Sequence, residues 1–257
     1  MSLLAMANPF DKLLSRLSED KVLNGRLRIQ QPNKGYRLAI DPVLLAAGVN
    51  ASAGEDILDA GCGVGAAGLC LAARIPNLQI TGVEIEELLT NIARDNAALN
   101  NIKAEFITGD IATEIPALKD KSFDHILTNP PYLKANEADP SPHPEKSRAH
   151  IESTAPLLTW IEFCHRHLKP KAYLTIIYRA DRIDDLLASL HEKFGGIKIM
   201  PLWPKAGAQA KRVIVQARKD SKEPAELLPG LVLHQENGSY TAETDAILRE
   251  MQAIRWE

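Results

Sequence analysis

The chain predicts an α/β fold built on one open, mainly parallel sheet with helices on both faces. Three observations carry that expectation. From residue 56 onward, short apolar strand-like runs alternate with longer helical runs, and parallel neighbours need such crossovers. The first of these strands ends in a glycine-rich turn, Asp59-Ala60-Gly61-Cys62-Gly63-Val64-Gly65, which opens a helix. The last two strand-like runs have only Trp203 to Ala208 between them, so they can pair antiparallel as a terminal hairpin.

Taken in order, residues 8–24 read as an amphipathic helix. Phe10, Leu13, Leu14 and Leu17 fall at helical spacing, and Asn24-Gly25 ends the run. Leu27–Gln30 and Tyr36–Ile40, around Pro32-Asn33-Lys34-Gly35, have the pattern of a β-hairpin. Asp41-Pro42 reads as an N-cap and first-turn proline for a helix to about Val49. Seven strands follow at 56–60, 78–83, 104–108, 123–128, 172–178, 197–202 and 212–217. Helices are expected at about 65–74, 86–100, 153–168 and 181–194. Residues 219–257 form a polar tail with a final helix, Ala242 to Ile254. These divisions give an N-terminal part at 1–50, a main domain at 51–220 and a C-terminal tail at 221–257. Ala135 to His150, with prolines at 140, 142 and 144 and charges throughout, reads as a mobile loop.

Composition narrows the function classes. The chain is 45% hydrophobic with a formal net charge of −3, enough for one substantial core and unlike a polycation that coats nucleic acid. Cys62, Cys70 and Cys164 lack metal-ligand spacing, which suits reduced thiols in the cytoplasm. No run approaches the ~18–20 apolar residues needed to cross a bilayer, and Met1 to Met6 is too short and uncharged for a signal peptide. His143, His150, His165 and His167 form no convincing ligand set, so no metal is expected. The sequence leaves the oligomeric state open.

The glycine-rich turn points to a cofactor. Glycine permits the tight turn and lets backbone approach a ligand closely, while the following helix offers free N–H groups. Glu84 ends the second strand about 20 residues on, where a carboxylate can accept both hydroxyls of a ribose. Asp110 and Ile111 follow the third strand, and Asp110 is well placed for an adenine amino group. A dinucleotide loop has a related pattern, but here the spacing is Gly-x-Gly-x-Gly, with Gly68 a partial match to a longer register. Asp59 would repel a pyrophosphate, whereas it can meet a cationic amino group. S-adenosylmethionine, with ribose, adenine and an amino-acid end but no phosphate, suits this set better.

Asn129-Pro130-Pro131-Tyr132 follows the fourth strand. Two prolines remove two backbone donors and hold the chain extended, presenting the Asn129 side chain and the neighbouring carbonyl as fixed acceptors. An amine or carboxamide offers matching donors, and Tyr132 can stack on the same planar group. Together these segments resemble a class I S-adenosylmethionine-dependent methyltransferase over about residues 30–218. Asp59–Gly65 matches that family's first motif, Glu84 its second acidic position and Asn129–Tyr132 its fourth motif. Gly25 to Ala47 is similar to the opening of the bacterial tRNA(Val) adenine-N(6)-methyltransferase family, whose members modify the adenine beside the anticodon. The resemblance implies a Rossmann-like, seven-stranded methyltransferase sheet with an antiparallel terminal hairpin.

It also implies a mechanism. Asn129 and the Pro130 carbonyl would bind the two N–H groups of an exocyclic adenine amine, and Tyr132 would stack on the base. Asp59, Gly61, Gly63, Glu84, Asp110, Ile111 and Asn129 would line the cofactor. Arg37, Lys134 and Arg148 are candidates for RNA contacts, within a wider basic set of Arg26, Arg28, Lys34, Lys146, Lys205, Lys211 and Arg212. The expected partner is therefore tRNA, with no membrane. Three other readings remain open. A release-factor glutamine methyltransferase would use the same loop on a carboxamide, but those enzymes have a larger helical segment than the ~25 residues preceding the predicted hairpin here. A guanine-amino rRNA methyltransferase usually has Phe where Tyr132 stands. A noncatalytic cofactor-binding scaffold would not need Asn129.

Overall fold

The computed structural model describes residues 17–33, 38–131 and 155–257. Its centre is a sheet whose seven long strands are β3 (Asp56–Ala60), β4 (Gln79–Glu84), β5 (Ala104–Thr108), β6 (Phe123–Thr128), β7 (Leu168–Arg179), β8 (Phe194–Trp203) and β9 (Arg212–Lys219). Across the sheet they lie in the order β5-β4-β3-β6-β7-β9-β8. The five strands from β5 to β7 run parallel. Strand β9 is inserted antiparallel between β7 and β8, forming the expected terminal hairpin. Two-residue strands β10 (Glu226–Leu227) and β11 (Leu231–Val232), both from the tail, extend the β8 edge.

Alternation along the strands builds two cores. In β3, Ile57 faces one layer and Leu58 the other, and Leu127 and Ile126 of β6 divide in the same way. Helices α1 (Asp41–Ala47), α2 (Ala66–Arg74), α3 (Glu87–Leu99) and α6 (Ala242–Glu250) supply residues to the first core. Helices α4 (Leu157–His167) and α5 (Ile183–Leu190) cover the opposite face. No helix among the described residues is long and apolar enough to cross a membrane. All three cysteines are free and buried.

The N-terminal part differs from the sequence expectation. Leu17–Val22 is a strand, β1, paired antiparallel with β2 (Leu27–Pro32). The hairpin partner of Leu27–Gln30 is therefore the segment before it, and residues 17–22 are not helical. Residues 8–16 of the expected helix lie outside the described residues. Asn24-Gly25 is the turn of this hairpin: Leu23, Asn24 and Gly25 all have positive φ, a conformation that Asn and Gly tolerate best. Asp41 also departs from expectation. Ile40 occupies the N-cap, no side chain caps α1, and Asp41 instead pairs with Arg212 at 3.2 Å.

Strand β7 begins at Leu168, directly after α4, rather than at Ala172. Phe123 pairs with Leu168 and a register shift follows before His125 meets Tyr173. Of residues 168–172 only Leu168 has a partner in register, Phe123, so Pro170 falls in the irregular stretch, where it is tolerated. Helix α6 starts at a Thr241 cap whose hydroxyl accepts the Thr244 N–H, and it stops at Glu250. The chain beyond it packs down. Ile254 N–H bonds to the Ala47 carbonyl at 2.8 Å, and Trp256 Nε1 donates to the Gly48 carbonyl at 3.0 Å. The tail thus locks the C-terminal end of α1.

Candidate active site

Strand register brings the predicted residues to one edge. Ala60 lies opposite Val83 on one side and Thr128 on the other, while Glu84 lies opposite Thr108. The next residues out, Gly61 and Gly109, therefore flank Glu84, and Asn129 lies on the far side of Gly61, all at the carboxyl ends of adjoining strands. Such a crevice is where open α/β sheets bind ligands. Backbone bonds fix the rim: Gly61 and Cys62 N–H both reach the Val83 carbonyl, and Gly109 N–H reaches the Glu84 carbonyl. The Thr128 hydroxyl donates to Ala60 O at 2.7 Å, tying the strand before Asn129 to the strand before Gly61.

The glycines of the loop serve different needs. Gly61, Gly63 and Gly65 have φ of +70°, +54° and +81°. A Cβ on Gly61 would stand 2.4 Å from the Trp160 ring, and one on Gly65 would stand 3.0 Å from Phe106. Both are required by packing. Among the described residues a Cβ on Gly63 would meet nothing within 4 Å, so a ligand can lie there against bare backbone.

Two acids lie under and beside this loop. Asp59 is 2% exposed and its Oδ2 accepts the Gly68 N–H at 2.8 Å, inside the first turn of α2. Burial, with the nearby Glu84 charge, pushes its carboxyl up to about 7. Glu84 is also buried, and burial raises its pKa, opposed by hydrogen bonds from backbone N–H groups. Its Oε2 accepts Gly63 N–H at 2.9 Å and its Oε1 accepts Glu86 N–H at 3.1 Å. A carboxylate held this way still has lone pairs for two hydroxyls. Asp110 is half-exposed, its Oδ1 accepting Ala112 N–H at 2.8 Å, and Ile111 beside it is buried. Asn129 is half-buried and Pro130 is buried. The acidic side chains of Asp59, Glu84 and Asp110 suit an ammonium, a diol and an aminopurine, and disfavour a pyrophosphate.

Tyr132, Arg37, Lys134 and Arg148 lie outside the described residues, as do Lys34, Lys146 and the whole of the expected loop at 135–150. The remaining basic residues do not all converge. Arg28 makes two bonds to Glu19 and its backbone bonds to Asn100, just past the C-terminal end of α3. That end faces the opposite rim of the sheet, because α3 returns from β4 to begin β5. Arg26 sits near it, bonded to the Arg249 carbonyl. Lys205, Lys211 and Arg212 are at the correct rim, since Arg212 pairs in register with Arg179 at the end of β7. Arg212 is engaged with Asp41, and Lys205 Nζ bonds to the Glu236 carbonyl.

Sequence reasoning missed two residues here. Trp160, on α4, closes over Gly61, and its Nε1 is buried without a hydrogen-bond partner among the described residues. Its helical spacing with Ile161 and Cys164 signals a core face but not which loop it meets. Asn96 is fully buried and reaches the Val64 carbonyl of the glycine loop at 3.0 Å. Its sequence signal is an asparagine beside Ala93 and Ala97 on the apolar face of α3.

Comparison with known proteins agrees with this geometry. The methyltransferase small domain family matches residues 39–143. A Porphyromonas gingivalis protein named tRNA1(Val) (adenine(37)-N6)-methyltransferase is 32% identical over 62% of this chain and 64% of its own length. A second from the same species is matched over 66% of its length, so the chain spans just under two thirds of these two relatives. A relative of that name from Glaesserella parasuis is 30% identical over 79% of this chain and 84% of its own. A release factor glutamine methyltransferase from Aliivibrio fischeri is 35% identical over 40% of this chain and 35% of its own. A solved predicted O-methyltransferase from Agrobacterium tumefaciens superposes with a TM-score of 0.68 at 25% identity, covering 83% of this chain and 97% of that one. The strand order, the glycine loop and the extent of the Glaesserella match together place this chain in the class I S-adenosylmethionine-dependent methyltransferases, in the family that includes those tRNA1(Val) relatives, with S-adenosylmethionine as its cofactor.

Proposed function

We propose that this protein methylates the exocyclic amine of an adenine in tRNA, in the anticodon-loop region. The observation that carries the reading is the register of β3 and β6, which sets Asn129-Pro130 beside Gly61 at the rim of the cofactor loop. The loop fits the cofactor on its own terms: Gly63 leaves open backbone, and Glu84 is held by two N–H bonds with acceptor capacity to spare. When bound, S-adenosylmethionine supplies an electrophilic methyl group on a positively charged sulfur.

In this reading Glu84 accepts the ribose hydroxyls, Asp110 the adenine amino group, and Ile111 packs on the cofactor ring. Asp59 and the backbone of Gly61 and Gly63 receive the amino-acid end, with Asn129 on the far wall. Asn129 Oδ1 and the Pro130 carbonyl accept the two N–H groups of the target amine. Its lone pair, otherwise delocalised into the ring, is then localised toward the cofactor side. These bonds strengthen as the nitrogen becomes positive, which stabilises the transition state more than the ground state. No base is needed before attack, and the surplus proton leaves to water afterwards. Tyr132 holds the base by stacking, worth about 1–3 kcal/mol. That is comparable to the few kcal/mol needed to unstack a loop nucleotide and favours single-stranded RNA. Arg37, Lys134 and Arg148 contact phosphates. The names of the Porphyromonas and Glaesserella relatives support tRNA as the substrate.

A second reading has its own observation, the partial match to release factor glutamine methyltransferase. A glutamine carboxamide offers the same two N–H groups. A competition assay separates them: unmodified tRNA and a release factor, at equal concentration, share one pool of labelled S-adenosylmethionine. Label on tRNA supports the proposal. Label on the release factor alone transfers the assignment to protein glutamine.

A further inference from the structure

Strand β2 has one edge paired with β1 and the other turned to α3, where two asparagines cover it. Asn96 Oδ1 accepts the Gln30 N–H at 2.7 Å, and its Nδ2 donates to the Gln30 carbonyl at 2.9 Å. Asn100 does the same for Arg28, at 2.9 and 2.7 Å. The spacing explains the match. Residues four apart on a helix rise about 6 Å, and alternate strand residues are about 6.8 Å apart. Two side-chain amides thus imitate a neighbouring strand along an edge that would otherwise be open.

The two asparagines differ in their third bond. Asn100 Nδ2 turns back to the Asn96 carbonyl within α3. Asn96 Nδ2 donates at 3.0 Å to Val64 O, between Gly63 and Gly65 of the cofactor loop. Asn96 is fully buried, and both its donors and its acceptor are engaged. The next residue back, Gly63, is the one whose N–H holds Glu84. One amide therefore joins the N-terminal hairpin to the loop and, through Gly63, to Glu84.

We propose that Asn96 is a positioning residue for the cofactor loop, coupling cofactor affinity to the docked hairpin. The inference rests on the reading of Gly61–Gly65 as the S-adenosylmethionine loop. Asn100 serves as an internal control, because it docks the hairpin without touching the loop.

The test is calorimetric binding of S-adenosylmethionine to wild type, Asn96→Ala and Asn100→Ala, with amide hydrogen exchange of wild-type Gln30 with and without cofactor. Asn96→Ala is expected to weaken binding about tenfold, within the usual range of site coupling. Asn100→Ala, with a comparable loss of thermal stability, should stay within about twofold of wild type. By reciprocity, saturating cofactor should slow Gln30 exchange in the wild type. A folded Asn96→Ala protein that binds as tightly as wild type overturns the proposal. So does Gln30 exchange indifferent to cofactor, and that measurement decides alone if Asn96→Ala does not fold. Failure of the wild type to bind S-adenosylmethionine would bring down the loop reading and the proposal with it. Normal wild-type binding with an insensitive Asn96→Ala would remove only the coupling.

Discussion

Replacing Asp59 with Asn should make the protein more stable at pH 8 relative to wild type than it is at pH 5. Asp59 is 2% exposed, and burial beside Glu84 raises its carboxyl to about 7 from 3.8. The folded state therefore holds a proton that the unfolded chain has released. Stability falls as pH rises from the unfolded pKa to the folded one, and the full penalty is present above about 7. At 1.36 kcal/mol per unit, the penalty grows by about 3 kcal/mol between pH 5 and pH 8. Asn cannot ionise, and its side-chain oxygen can still accept the Gly68 N–H that Asp59 Oδ2 accepts. Every other titrating group is common to both proteins, so the difference between them reports Asp59 together with its coupling to Glu84. Calorimetric melting in matched buffers should show the Asp59→Asn protein gaining on wild type by roughly 5–10 °C over that range, at about 2–4 °C per kcal/mol for a chain of this size. Parallel curves for the two proteins would refute the argument that Asp59 is held partly protonated by burial. The same variant should lose affinity for S-adenosylmethionine if the carboxylate receives the cofactor's amino group.

Gly63→Ala meets no atom within 4 Å among the described residues but has φ of +54°. It should lose only ~1–2 kcal/mol of stability, yet weaken S-adenosylmethionine binding by about tenfold or more by calorimetry, equivalent to ~1.4 kcal/mol. Gly61→Ala should behave in the opposite way, because its Cβ would stand 2.4 Å from the Trp160 ring. Its main loss, read from urea unfolding, is of stability, by about 1–3 kcal/mol from overpacking in addition to backbone strain. Trp256→Ala removes a buried ring and its bond to Gly48 O, and should lower stability by about 3 kcal/mol or more. A loss under ~1 kcal/mol would show that the docked tail contributes little to the fold.

Strands β3, β5 and β6 were legible to the residue, because each is a short run bounded by polar or turn residues; β3 and β6 are buried on both faces, whereas the edge strand β5 fully buries only Phe106. The first hairpin was not. Ser18-Glu19-Asp20-Lys21 has no strand-forming alternation, and β1 exists only because β2 offers it a partner whose Leu27 and Ile29 are buried. Asn24-Gly25 serves equally as a helix stop and a hairpin turn, so local chemistry could not decide between them. The docking of Ile254 and Trp256 likewise leaves no periodic trace. For the site, the glycine loop, Glu84 and Asn129 could each be singled out from the chain. Their adjacency depends on β3 lying between β4 and β6, a property of the sheet order that alternation alone does not specify. Asn96 escaped notice because its partners are backbone atoms far away in the chain.

Single-turnover methyl transfer to tRNA lacking its own modifications measures the proposed activation of an adenine amine by Asn129 beside the cofactor loop. Nucleoside mass spectrometry identifies the product, with wild type and Asn129→Ala run in parallel. Wild type should form N(6)-methyladenosine, and Asn129→Ala should be slower by about 10²–10³, the usual effect of losing one preorganised transition-state contact. Equal rates from the two proteins, or cofactor binding by wild type with no methyladenosine formed, would contradict the proposed activation.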